Sequence, residues 1–130
     1  DHITEVMNIA LVTYKALETI RPLPFSLSDA LFGCFLHDIE KVWKHTIDPS
    51  ESQNIDKDAL LKAEFHLNDD HWNDIHYAHG EGNDYHPTLR IQRPLAAFVH
   101  HCDNTSARIW FDQPKKDADE YEELVGRYYP

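Results

Sequence analysis

In the stretch Leu31-Phe32-Gly33-Cys34-Phe35-Leu36-His37-Asp38-Ile39-Glu40-Lys41, an apolar run ends in an imidazole set beside a carboxylate. A helix that builds core has no packing reason to place that pair there. Burying either group without a partner costs several kcal/mol, so each needs a strong one. A divalent metal ion suits both. The remaining ligands must then come from elsewhere in the chain.

Working outward, every neighbouring segment reads as helix. Ile3, Val6, Met7, Ala10, Leu11, Tyr14, Leu17 and Ile20 recur at helical spacing, with Glu5, Lys15 and Glu18 off that stripe. Two prolines in Arg21-Pro22-Leu23-Pro24 stop this first helix. Ser26 or Ser28 offers an N-cap, and Ser28-Asp29 opens a second helix to about His45, apolar on most sides and therefore central. A third is expected over about Asp56 to His66, and a fourth over Asn68 to Ala78. Gly80 to Pro87 reads as loop, and Pro94 opens a fifth helix toward Trp110. Asp117 to Tyr129 makes a short acidic terminal helix. No stretch sustains the period-2 alternation of strands. The expected class is all-α, a compact bundle of about five to six helices in one domain spanning residues 1–130, on its own or as a piece of a longer chain.

Composition narrows the partners. The chain has 12 Lys and Arg against 23 Asp and Glu, a formal net charge of −11. A broad phosphate-contacting face for duplex nucleic acid needs clustered cations, so none is expected. A small anionic substrate is compatible, because a metal and a few cations create one local positive spot. The longest apolar run, Ala30 to Leu36, is far short of the roughly 20 residues that cross a bilayer. No membrane contact is therefore expected. Cys34 and Cys102 lie in apolar surroundings outside any CxxC pattern, which reads as two reduced, buried thiols in a cytoplasmic protein. The segment Trp110 to Tyr129 offers either a tail packed on the core or an interface in a homo-oligomer.

Ten histidines are present, and three positions matter most. His2 begins the first helix, His37-Asp38 sits in the second, and Asp103 lies in Phe98-Val99-His100-His101-Cys102-Asp103-Asn104 within the fifth. Each adjoins residues that face the core, so three helices can converge on one point. Neutral His and ionised Asp are ordinary ligands for zinc, manganese, iron or cobalt.

The arrangement His2 … His37-Asp38 … Asp103 resembles the HD-domain phosphohydrolases in order, spacing and helical context. Phe35-Leu36-His37-Asp38-Ile39-Glu40-Lys41 is similar to the family's leucine-His-Asp-isoleucine-x-Lys core, with Glu40 where the family commonly has glycine. Pro94 to Arg108 is similar to its late helix bearing the last aspartate. The likeness covers roughly residues 1 to 111.

What the resemblance implies is hydrolysis of a phosphate ester or anhydride, most often in a small nucleotide. His2, His37, Asp38 and Asp103 are then the ligands of one divalent ion (Mn, Co, Zn, Fe, Ni or Mg), with a second metal in some relatives. Lys41, three residues after Asp38, can reach a bound phosphate, and Glu40 can act as general acid or base. His79, in His76-Tyr77-Ala78-His79-Gly80-Glu81-Gly82, is the candidate catalytic histidine between the His-Asp pair and the last Asp. Arg90 and Arg93, among the few cations, are candidates to fork a phosphate. Alternatives are a regulatory HD module that binds metal or nucleotide without turnover, a di-iron oxygenase, and a nuclease or phosphodiesterase domain of a larger protein.

Overall fold

A computed structural model describes residues 2–46 and 65–110, with residues 40–46 described as backbone only. Within these residues the chain forms four α-helices and no strand: α1 His2–Glu18, α2 Leu27–Thr46, α3 Asp69–Tyr77 and α4 Pro94–Arg108. A single 3-10 turn, Gly82–Asp84, interrupts the α3–α4 connection. Phe65 and His66, the end of the expected third helix, are not helical; the rest of that helix and the expected terminal helix lie outside the described residues.

The helix ends follow local chemistry. Helix α1 stops two residues short of the expected Ile20, which is 80% exposed. Pro22 would collide with the preceding turn of a continuing helix, so the chain turns at Thr19 to Arg21. Glu18 holds that turn by accepting from the Leu23 amide at 2.9 Å. Of the two candidate serines, Ser26 precedes α2 and is the cap, its Oγ accepting from the Asp29 amide at 3.0 Å, whereas Ser28 lies inside the helix. Asn68 caps α3 reciprocally with His71, and Pro94 occupies the first turn of α4.

Helices α2 and α4 are central, since each packs on the other three except that α1 and α3 share no substantial contact. The principal core joins Val6 and Ala10 of α1, Ala30 and Cys34 of α2, and Leu95, Phe98, Val99 and Cys102 of α4. A smaller cluster gathers Leu36, Ile39 and Ile75 beneath Phe32, Phe65, Leu67 and Trp72. Phe98 packs edge to face on Tyr14 and on Phe25, and the Tyr14 hydroxyl donates to the Phe25 carbonyl at 2.8 Å.

Gly33 allows α2, α3 and α4 to approach closely. A Cβ there would lie 3.0 Å from Val99 Cγ2, 3.2 Å from Asp74 Oδ2 and 3.4 Å from Leu95 Cδ1. Overpacking of this kind costs about 1–3 kcal/mol, against a helix-propensity gain of up to about 1 kcal/mol. Gly33→Ala is therefore expected to destabilise the protein by about 1 kcal/mol in urea unfolding; a gain in stability would show that the three neighbours yield easily.

Candidate metal centre

The start of α1, the middle of α2 and the second half of α4 meet at three of the candidate ligands. His2, His37 and Asp103 each offer one ligand atom, and these atoms all lie within 4.8 Å of one another. His2 Nε2 is 2.8 Å from Asp103 Oδ1, and His37 Nε2 is 3.3 Å from the same oxygen. His79 Nδ1 approaches the other carboxylate oxygen, Oδ2, at 3.5 Å. Asp38, half-buried and next to His37 on α2, is not part of the three-residue group.

Protons decide what this cluster can hold. The His37 side chain is completely buried, and its Nδ1–H donates to the Cys34 carbonyl one turn earlier. A carbonyl can only accept, so neutral His37 carries its lone pair on Nε2. That nitrogen is buried, makes no aligned hydrogen bond among the described residues, and lies 3.3 Å from the carboxylate oxygen Oδ1 of Asp103. Two electron-pair donors directed at one point need positive charge between them. A ring nitrogen opposite one that donates to a backbone carbonyl is the usual presentation of a metal-binding histidine. Two imidazoles and a carboxylate match the donor preferences of zinc, manganese, iron or cobalt, so the residues present fit the ion that the sequence resemblance implies. Burial alone would push the Asp103 carboxyl up, but interactions with His37, His79 and His2 outweigh it and hold the group well below the usual carboxylate range. Asp103 is thus a permanent anion at the centre.

His79 reaches the site from the turn after α3, and that turn is clamped. His100 Nδ1 donates to the Ala78 carbonyl at 2.7 Å, and Gln92 Nε2 donates to the Tyr77 carbonyl at 2.7 Å. Glu81 accepts from the amides of Ile91 and Gln92 at 2.8 and 3.0 Å. Gly80, at φ 108°, supplies the left-handed residue that turns the chain away immediately after His79. The His79 side chain is 59% exposed, so it stands at the rim rather than inside.

The predicted cations are placed differently. Arg93 Nε pairs with Asp70 Oδ1 at 2.8 Å, where the first turns of α3 and α4 meet. Ten residues of helical rise put Arg93 about 15 Å along α4 from Asp103, so this guanidinium is not brought to the centre. Arg90 is exposed on the loop before α4. Glu40 and Lys41 lie on the backbone of α2, and their side chains are outside the described residues. His100, on the same helix as Asp103, is not part of the three-residue group.

Three residues the spacing argument passed over prove important. Asp74 is fully buried, and neither of its carboxylate oxygens has a hydrogen-bond partner among the described residues. It stands in the polar run Asn68-Asp69-Asp70-His71-Trp72-Asn73-Asp74, which gives no hint of burial. Ser106 and Glu5 bond to each other beside His2. Each follows a candidate ligand by three residues (His2 to Glu5, Asp103 to Ser106), and that same-face spacing was the available signal. Cys34 and Cys102 are both fully buried free thiols. A hydrogen bond with Cys102 and burial push the Cys34 thiol up, so it stays protonated and does not act as a nucleophile. Comparison with known family models, curated proteins and solved structures found no match.

Proposed function

We propose that this chain is a divalent-metal-dependent phosphohydrolase of the HD type, acting on a phosphate ester or anhydride of a small nucleotide. The observation that carries the reading is the convergence of His2, His37 and Asp103, from three helices and as many as 101 residues apart, with nitrogen and oxygen donors within 4.8 Å. Asp38 completes the ligand set as the fourth side chain, beside His37. A bound divalent ion supplies Lewis acidity at a phosphoryl oxygen and acidifies water.

The chain's own residues supply the rest. Three ligands on three helices fix the site on the rigid part of the bundle and leave its rim to the α3–α4 turn. His79, whose Nδ1 lies 3.5 Å from Asp103 Oδ2, is assigned the proton for the leaving oxygen. Lys41 is assigned to the phosphate and Glu40 to proton transfer, both from the resemblance. The excess of acidic residues repels a polyanion and favours a mononucleotide, whose charge a single ion can offset.

Incubation with a panel of nucleoside mono-, di- and triphosphates in the presence of Mn²⁺ or Co²⁺ is expected to release phosphate or pyrophosphate from at least one, and EDTA is expected to stop it. Bound metal with no turnover on any nucleotide would instead support a binding module.

A further inference from the structure

His2 and His37 present Nε2 to the same carboxylate oxygen, yet their surroundings differ. His37 is locked by a carbonyl of its own helix. His2, the first described residue of α1, has a side chain that is 31% exposed. Its Nδ1 instead lies 3.0 Å from Ser106 Oγ. Ser106 is fully buried, and its hydroxyl donates to Glu5 Oε1 at 2.6 Å.

This chain has one consistent direction. A carboxylate only accepts, so the single hydroxyl proton of Ser106 is spent on Glu5. Ser106 Oγ must then accept from His2, which places a proton on Nδ1; when a cation takes the place of the proton between Nε2 and Asp103 Oδ1, the lone pair of neutral His2 falls on Nε2. Nε2 is the atom 2.8 Å from Asp103 Oδ1. Without Ser106, the Asp103 carboxylate alone would favour the proton on Nε2, the tautomer that cannot present a lone pair to a cation there.

We propose that Glu5 and Ser106 are positioning residues that set the tautomer and orientation of His2 for a divalent cation, acting in series from Glu5 through Ser106. The inference rests on the metal site proposed above and assigns to α1 and α4 a function beyond carrying the ligands themselves. The relay replaces, with side chains from two helices, what a backbone carbonyl does for His37. Because the order is serial, Glu5 acts on the cation only by way of the Ser106 hydroxyl.

Titration of metal-free protein with Mn²⁺ in a calorimeter tests this on the wild-type chain, Ser106→Ala, Glu5→Ala and the double variant, with thermal unfolding of each metal-free protein alongside. Ser106→Ala is expected to weaken Mn²⁺ binding by about 10- to 100-fold, the range seen when outer hydrogen bonds to ligating histidines are removed. Glu5→Ala should weaken it by about 10-fold in the wild-type background and have no further effect once Ser106 is alanine. Such non-additivity marks residues that act through one another, and a general loss of stability would not produce it. Wild-type binding with Ser106→Ala unchanged, or effects that multiply in the double variant, would overturn the relay and leave the metal site standing. Absence of Mn²⁺ binding by the wild-type chain would overturn both.

Discussion

Asp103→Ala is expected to lower Mn²⁺ affinity by more than about 100-fold, beyond the range for losing an outer hydrogen bond, and to reduce nucleotide turnover to background. The reason is geometric. Asp103 is the one residue that His2, His37 and His79 all approach, at 2.8, 3.3 and 3.5 Å, and it supplies the only negative charge of the three-residue group. Its removal leaves imidazole lone pairs converging on a point with no anion to balance a dication. Asp103 is half-buried at the surface of α4, so the variant is expected to retain its helical circular dichroism while calorimetry records the lost binding. Were Asp103 merely a counter-ion for protonated histidines, the variant would lose stability and keep its response to metal.

The second large effect concerns stability. Burial pushes the Asp74 carboxyl up to about 8, while an unfolded aspartate titrates near 3.9. Between those values the folded protein holds a proton that the unfolded chain has released. With more protons bound by the native state, stability falls as pH rises, by up to about 1.4 kcal/mol per pH unit for this one group. The penalty is absent below about pH 4 and complete above about pH 8. Asp74→Asn removes the titration and keeps the volume that packs over Gly33. Urea unfolding at pH 5 and pH 7.5 is expected to show a clear loss for the wild-type chain and a much smaller one for the variant. Equal slopes would mean that Asp74 ionises in the folded state as it does in the unfolded.

Much of this was legible in the sequence because it depends on local chemistry. The apolar run ending at His37 specified a central helix, and α2 does pack on the other three. Asn68 and Pro94 marked helix starts through their own backbone preferences. The order of His2, His37 and Asp103 anticipated their meeting, since each sits one step from a core-facing residue. What escaped depends on how the helices come together. Asp74 reads as another residue of a solvated acidic cluster until Gly33 lets α2 and α4 close over it. Arg93 reads as an available cation until the starts of α3 and α4 set Asp70 against it. Glu5 lies off the apolar stripe of α1, and only the approach of α4 turns that flank toward Ser106.

The account stands on His2, His37 and Asp103 gathering one divalent ion. Titration of the metal-free protein with Co²⁺, followed by visible absorption, tests that most directly, because nitrogen ligation changes the colour and intensity of the ion. A saturable spectral change at one equivalent per chain, abolished in His37→Ala, is predicted. A spectrum that stays that of aqueous cobalt throughout, or one unaffected by His37→Ala, would contradict it.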